Sequence, residues 1–292
     1  MSTGSFHPGE VALQAETGAQ RRLAEVGPRF IRDHMPDQHR EFFAQLPFLV
    51  AGTLGAAGHP QAALLAGPPG FAHSPDPRRL RVDAPLAALD VGAPIGLLGL
   101  EAHSRRRNRL NGTVVAVDGA GFEVVVGQSF GNCPKYIQPR VAVFDAAAAG
   151  SPASRTFDRL EGEALEFVRH ADTFFIATAH PAARETPDPA QGLDVSHRGG
   201  PPGFVEAAGG GRVLAVPDYT GNSYFNTFGN LLLEPRCSLL FVDWATAAQL
   251  QVAASAEVVR GPQRRLVLHV EGARLTRGAL PLRWRPAGVG PG

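Results

Sequence analysis

Short runs of apolar residues, separated by turn-forming residues, dominate the chain. Two of them, 48–53 (FLVAGT) and 173–178 (TFFIAT), are continuous runs typical of buried β-strands. The same reasoning predicts further strands at 61–66, 95–100, 110–117, 122–126, 212–216, 238–242, 249–259 and 264–270. Because Gly (34) and Pro (25) are frequent and spread throughout, the pattern predicts a mainly β fold.

Helical periodicity is confined to a few segments. It predicts one helix over about 10–34, a second over 37–45 with Asp37 as its candidate N-cap, and a third over 157–169. A fourth helix is expected to start near Asn222. The apolar residues that follow there at helical spacing are Phe225, Phe228, Leu231 and Leu232.

Four landmarks recur in the same order in the two halves of the chain. Residues 41–53 (EFFAQLPFLVAGT) match 166–178 (EFVRHADTFFIAT), and the tetrapeptide Pro-Pro-Gly-Phe occurs at 68–71 and again at 201–204. The other two landmarks are an apolar run, at 95–101 and 237–243, and a following long strand that ends in VVAV at 114–117 and in EVV at 257–259. Chance similarity explains four ordered matches poorly, so the pattern predicts an internal duplication.

The segment 145–155 (DAAAAGSPASR) has no apolar pattern and suits a linker between two modules. Each half then carries about six strands, which close most easily into a small barrel that hides its sheet edges. We therefore predict two tandem β-barrels with flanking helices. The predicted divisions are an N-terminal helical extension at 1–36, a first module at 37–145, a second at 156–275 and a C-terminal tail at 276–292.

The overall charge is close to neutral, with 28 Lys+Arg against 27 Asp+Glu, and gives no reason to expect a nucleic acid or an acidic membrane as partner. The strongly basic run 105–107 (RRR) is expected to be a solvated turn or strand end. There is no apolar run of about 20 residues to span a membrane. The N-terminal MSTGSFHPGEVALQ has no apolar segment of a signal peptide, so we expect a cytoplasmic protein.

Motifs for metal binding find no support in the sequence. The two cysteines, Cys133 and Cys237, form no CxxC motif, the ten histidines are scattered, and no HExxH occurs. The cysteines are expected to be ordinary thiols in a reducing compartment. We predict no metal site.

The segment 194–204 (DVSHRGGPPGF) is unusually polar. Ser196, His197 and Arg198 bunch where a strand enters a Gly/Pro turn, and Gly199 permits close approach of a ligand to the backbone. Arg198 can offer a planar fork of donors to a phosphate. The alternative is a solvated hairpin turn without a ligand.

The segment 216–230 (VPDYTGNSYFNTFGN) leaves a strand and is expected to enter a helix at 220–223. A helix N-terminus presents free N–H groups and a partial positive charge, which makes this start a candidate phosphate seat. The alternative is that Asn222 or Thr220 only caps its own helix. The candidate binding residues of this segment are Asp218, Gly221, Asn222, Ser223, Asn226 and Thr227.

The first half has its own candidate in 127–138 (GQSFGNCPKYIQ), where Lys135 and Tyr136 follow a strand. Lys135 can meet a phosphate, and Tyr136 can stack on a planar ring. The first copy of the polar loop, 65–71 (LAGPPGF), has lost the Ser-His-Arg cluster. The first module is therefore predicted to be degenerate as a binding site.

Together, the segments 127–138, 194–204 and 217–232 resemble the pyridoxamine 5'-phosphate oxidase-like, FMN-binding split-barrel superfamily. They are most similar to its bacterial members described as pyridoxamine 5'-phosphate oxidase-related flavin-nucleotide-binding proteins. The resemblance extends from FHPGE at 6–10 to the AEVV strand at 256–259. It implies two tandem split β-barrels, with FMN held at a homodimer interface by strand-end and loop residues.

The resemblance also implies roles for particular positions. Related barrels carry a loop of the type S-P-R-G-D, which here reads SHRGG at 196–200. They often place an arginine after the Gly-Asn of the helix start, where this chain has Ser223 and Tyr224. Arg198 or a partner-subunit residue would have to supply that cation. Since the flavin carries the redox chemistry, no catalytic residue is assigned.

Three hypotheses for the function follow. The first is an FMN-dependent oxidoreductase acting with a small-molecule substrate or electron donor that the sequence does not identify. The second is a flavin-carrying protein without turnover. The third is a split barrel that binds haem or a deazaflavin.

Overall fold

The computed structural model describes residues 4–55 and 57–288. Residues 1–3 of the predicted extension and 289–292 of the predicted tail lie outside this range. The described part is 42% strand and 19% helix, with curled antiparallel sheets, which confirms the mainly β fold class. Its five α-helices are α1 (Pro8–Glu16), α2 (Gln20–Phe30), α3 (Asp37–Ala44), α4 (Gly162–His170) and α5 (Asn226–Leu233).

Two large antiparallel sheets form the body of the chain. The first contains β1 (Phe48–Leu54), β2 (Pro60–Ala66), β3 (Ala72–His73), β4 (Arg79–Val82), β5 (Pro94–Glu101), β6 (Arg106–Val117) and β7 (Phe122–Gly131). Two short strands follow, β8 (Arg140–Phe144) and β9 (Ala153–Phe157). The second sheet contains β10 (Thr173–Ala179), β11 (Leu193–Gly199), β12 (Glu206–Ala208), β13 (Val213–Pro217), β14 (Arg236–Val242), β15 (Gln249–Val259) and β16 (Arg265–Arg277). The last strand, β17 (Leu282–Pro286), pairs with β8.

The two sheets have the same strand order. The first runs β2-β1-β5-β6-β7-β4-β3, and the second runs β11-β10-β14-β15-β16-β13-β12, with β9 added beside β16. A helix precedes the first strand of each sheet, namely α3 and α4. The register agrees as well, because Phe48 pairs with Ala66 and Thr173 pairs with Gly199, and Gly-Pro-Pro-Gly-Phe follows directly in both places. Positions in one sheet can therefore be compared with positions in the other.

Each sheet encloses an apolar core, and a third core lies between the sheets. The contact is reciprocal, since β5 lies against β11 and β14 lies against β2. The buried side chains between the sheets include Phe48, Val50 and Leu98 from the first and Phe175, Val195 and Leu240 from the second. This packing fixes the relative position of the two halves.

Gly96 on β5 allows the backbones of the two sheets to approach each other. A Cβ at this position would lie 2.6 Å from the carbonyl oxygen of Leu193 on β11. We expect Gly96→Ala to lower the free energy of unfolding by about 1–3 kcal/mol, because backbone must shift to admit the methyl group. Urea unfolding measures this loss. The control is Gly119→Ala, where a Cβ meets nothing within 4 Å; an equal effect of both changes would contradict the packing argument.

Each of the first three predicted helices departs from the sequence prediction. The helix expected over 10–34 is two helices, since the chain turns at Gly18 with a φ of 69°. The third begins at Gly162 and not at 157, because 153–157 forms β9 beside β16. In α3 the N-cap is Pro36 and not Asp37, which is the first helical residue. No helix in the described residues is long and apolar enough to cross a membrane.

Candidate functional site

A cleft with a volume of ≈ 410 Å³ lies between the two halves of the chain. Its walls come from β6 and the segment after β7, and from β11, the segment after β13 and the start of α5. The structure brings together in this cleft all the residues singled out from the sequence, which are Lys135, Tyr136, Ser196, His197, Arg198, Gly199, Asp218, Gly221, Asn222, Ser223, Asn226 and Thr227. The first-half candidates thus belong to the same cavity as those of the second half.

The polar residues of 194–204 lie on a strand and not in a solvated turn. Ser196 and His197 are each 7% exposed, and both belong to β11. A Cβ on Gly199 would overlap the carbonyl oxygen of Tyr136. Glycine at this position therefore lets the segment after β7 close over the end of β11, and the alternative of a solvated hairpin turn is wrong for Ser196 and His197.

The helix expected to start near Asn222 begins at Asn226. Before it, Ser223 and Phe225 adopt left-handed φ values of 64° and 62°. Asn222 Oδ1 accepts a hydrogen bond from the Tyr224 N–H at 3.1 Å, which turns the chain ahead of the helix. The prediction of a helix N-terminus at 220–223 is therefore wrong, and so is the alternative that Asn222 or Thr220 caps the helix.

Two arginines on β6 are the site residues that the sequence reasoning missed. The run 105–107 was expected to be solvated, but Arg107 lines the cleft and its Nη1 donates to Nδ1 of His197 at 2.9 Å. Arg109 is 3% exposed and also lines the cleft. With Asn111 they alternate along the strand, so all three share one face. Arg106 and Asn108 on the other face are polar as well, so the sequence shows no alternation that singles out these three residues.

Arg109 is the centre of a buried polar network. Its Nη1 donates to Asp194 Oδ1 at 2.8 Å and to Asn226 Oδ1 at 2.7 Å, while its Nη2 donates to the hydroxyl of Ser196. Asn111 donates to the same carboxylate oxygen of Asp194 at 2.7 Å. The network links β6 of the first sheet with β11 and α5 of the second. The guanidinium of Arg109 therefore holds three walls of the cleft together.

The N-terminal helix α1 joins this network from the other side. Asn226 donates its Nδ2 to Glu10, whose second oxygen accepts from the N–H of His7 at 2.8 Å. Burial, followed by the nearby charge of Asp194, raises the pKa of Glu10 well above its usual range. Burial, followed by His180, lowers the pKa of His7 to about 4. The N-terminal segment is thus docked through groups that change charge with pH.

Positive charge predominates in the cleft. Five basic side chains line it, namely Arg107, Arg109, Lys135, Arg198 and Arg264. Asp218 is the one carboxylate among the lining residues. Asp218 pairs with Arg264 at 2.6 Å and lies 3.6 Å from Arg198. Burial, followed by the charge of Arg109 and Arg198, lowers the pKa of Arg107 to about 10. The cation of Arg107 is thus disfavoured first by burial and then by its basic neighbours.

His197 is held as a neutral imidazole. Burial lowers its pKa well below the usual range, and the neighbouring Arg107 and Arg198 act in the same direction. Because an arginine can only donate, Nδ1 of His197 is the acceptor and Nε2 carries the proton. The ring contacts Phe175 edge-on, with 5.8 Å between centroids. His197 therefore presents an N–H donor and not a charge.

Four buried side-chain nitrogens of the lining residues have no hydrogen-bond partner among the described residues. They are Nε of Arg107, Arg109 and Arg198 and Nδ2 of Asn132. All four are N–H donors. Buried donors are normally satisfied, so this set favours a ligand that brings acceptor oxygens and negative charge.

The corresponding positions of the first sheet are apolar. By register, the β11 residues Ser196, His197 and Arg198 are equivalent to Ala63, Leu64 and Leu65 on β2. On β15, Gln249 and Gln251 stand where β6 has Arg107 and Arg109. The equivalent positions on β2 and β15 therefore do not form a second charged cleft between the two sheets.

No family model matches the sequence, and no curated protein matches it. Among solved structures, HupZ of Group A Streptococcus is 11% identical, with a TM-score of 0.30 over 39% of this chain and 97% of HupZ. A candidate pyridoxamine 5'-phosphate oxidase of Lactobacillus delbrueckii is 17% identical, with a TM-score of 0.29 over 40% of this chain and 94% of its own. HutZ, the haem storage protein from Vibrio cholerae, is 14% identical, with a TM-score of 0.26 over 39% and 89%. These are similarities in the course of the backbone, and the ligands named belong to those proteins.

Proposed function

We propose that this chain is an FMN-binding protein of the pyridoxamine 5'-phosphate oxidase-like superfamily and acts as an FMN-dependent oxidoreductase on a small molecule. The observation that carries the proposal is the set of unpartnered N–H donors on Arg107, Arg109, Arg198 and Asn132 in one cationic cleft. FMN brings a dianionic phosphate and ring carbonyls, which are the acceptors that such a cleft lacks.

The cleft fits a flavin nucleotide in size and lining. Its ≈ 410 Å³ lies within the range of about 300–1,000 Å³ that is common for small-molecule sites. Arg107 and Arg198 are the proposed phosphate ligands, because they combine positive charge with free donors. Tyr136 and Tyr219 stack on each other at the mouth, with 4.9 Å between centroids, and offer a planar surface. Bound FMN would supply hydride or electron transfer.

The residues of the chain itself would bind, orient and shield the cofactor. The neutral His197 can donate from Nε2 to an acceptor in the cleft without adding a charge. The network around Arg109 keeps β6, β11 and α5 in place, and α1 closes the far side through Glu10. The segment after β13 forms the remaining wall.

We further propose that the two sheets arose by duplication and form an internal pseudo-dimer. The shared strand order, the shared register and the reciprocal packing of β5 on β11 and β14 on β2 support this. Both halves contribute to the one charged cleft, so a single chain contains all its walls. A homodimer of chains stays a prediction, which light scattering tests.

Arg198→Ala is expected to weaken FMN binding by about ten- to a hundredfold, because it removes a charged hydrogen bond worth about 1.5–3 kcal/mol. Quenching of flavin fluorescence during titration of the apo-protein measures the affinity. The matched control is Arg159→Ala, an exposed arginine that pairs with Glu161 away from the cleft. Unchanged affinity in both variants would place the phosphate elsewhere.

Haem is the second candidate ligand, because it also brings negative charge and acceptor oxygens to the cleft. Its carboxylates would meet the same arginines. The visible spectrum separates the candidates, since flavin gives a double band in the blue and haem gives one intense Soret band. A flavin spectrum without turnover of any donor would favour the carrier hypothesis.

A further inference from the structure

The thiol of Cys133 lies in the wall of the cleft and takes no part in the proposed function. It belongs to the segment that leaves β7, is half-buried and forms no disulfide. The other cysteine, Cys237, is fully buried on β14, where burial raises the pKa of its thiol. One thiol of the chain thus faces a cavity, and the other is enclosed.

The surroundings of Cys133 favour negatively charged reagents. Arg107 lines the same cleft and lies within electrostatic range of the sulfur. Lys135 follows two residues later and lines the same cleft as Arg198 and Arg264. A cleft lined by charge of one sign raises the local concentration of small ions of the opposite sign by about 10–1,000-fold.

A second observation points to an anion at this place. Arg109 is 3% exposed and lines the cleft, and its Nε has no hydrogen-bond partner among the described residues. A buried guanidinium donor without a partner is energetically unfavourable unless a ligand supplies an acceptor. The thiol therefore borders a built anion-binding cavity.

We propose that Cys133 is a modification site that reacts preferentially with anionic low-molecular-weight disulfides drawn into the cleft by its basic side chains. The thiol loses its proton to water, and its sulfur attacks one sulfur of the disulfide. A new S–S bond forms as the old one breaks, and the other half leaves as a thiolate with the electron pair. The anionic half that stays on Cys133 occupies the cleft and excludes other anions.

The test compares two aromatic disulfides on the folded full-length chain. Dithiobis(nitrobenzoate) carries two carboxylates, whereas dithiodipyridine is uncharged at neutral pH. Each rate is divided by the rate of free cysteine with the same reagent. We expect the normalised rate to be about tenfold or more higher for the anionic reagent, and to fall towards the neutral value as salt is added.

Three variants complete the experiment. Cys133→Ser is expected to be unreactive while folded, since Cys237 is enclosed. Lys135→Gln and Arg107→Gln are each expected to reduce the preference for the anionic reagent, and Arg21→Gln, whose side chain is 94% exposed, is expected to leave it unchanged. Equal normalised rates, an unreactive Cys133, or parental reactivity in Cys133→Ser would overturn the proposal. The rates are measured on the FMN-free chain, so these outcomes stand whether or not FMN is the ligand of the cleft.

Discussion

Replacing Arg109 by methionine is expected to lower the free energy of unfolding by about 3–5 kcal/mol, because it leaves the buried carboxylate of Asp194 without its cation. Arg109 and Asp194 are both almost fully buried and lie 2.8 Å apart. Methionine keeps most of the volume, so the loss reports charge and hydrogen bonding more than packing. Urea unfolding of parent and variant measures the difference.

A double-mutant cycle separates the ion pair from general damage to the core. Asp194→Asn removes the charge that Arg109→Met leaves uncompensated, so the double variant is expected to be more stable than the sum of the single losses. If the two losses add without coupling, Arg109 does not hold the cleft through Asp194. FMN titration of the same variants reports whether the cleft survives.

The second large effect concerns acid. The lowered pKa of His7 means that the folded chain binds fewer protons than the unfolded chain between pH 6.5 and about 4. Above pH 6.5 this difference contributes about 3 kcal/mol to the free energy of unfolding. The contribution is lost as the pH falls through 4. His7→Asn keeps an acceptor for the N–H of Gly9 but does not titrate. The variant should therefore lose less stability on acidification.

Unfolding free energies of parent and His7→Asn at pH 7.5 and 4.5 give the result directly. Glu10, His180 and Asp194 surround His7 and are present in both proteins, so the comparison of the two proteins isolates the imidazole. His269→Asn, on the exposed face of β16, serves as control and should show the parental pH dependence. Parallel loss in all three proteins would show that His7 does not govern docking of α1.

The sheets were predictable from the sequence because their signal is local. Strands β1 and β10 are apolar on both faces, and all residues of β10 are buried. The order of landmarks along the chain also pointed to two sheets of one strand order. The break in the first helix was less visible, since Gly18 differs from a helical glycine only by its positive φ.

The chemistry of the cleft was only partly predictable, because its partners are distant in sequence. Arg109 meets Asp194 across 85 positions, so the basic run around 105–107 resembled a solvated surface segment. The helix start was misplaced for a different reason. Asn222 turns the chain through its own side chain and Phe225 takes a left-handed conformation, which periodicity does not reveal. The candidate residues nevertheless lie in one cleft.

The most direct test of the central claim is the visible spectrum of the chain after incubation with FMN and removal of unbound ligand by gel filtration. FMN binding in the cleft would give a flavin double band in the blue, with one flavin per chain, because four unpartnered donors line this one cleft and the β2 positions equivalent to 196–198 are apolar. A protein that emerges without flavin, or with two flavins per chain, would contradict it.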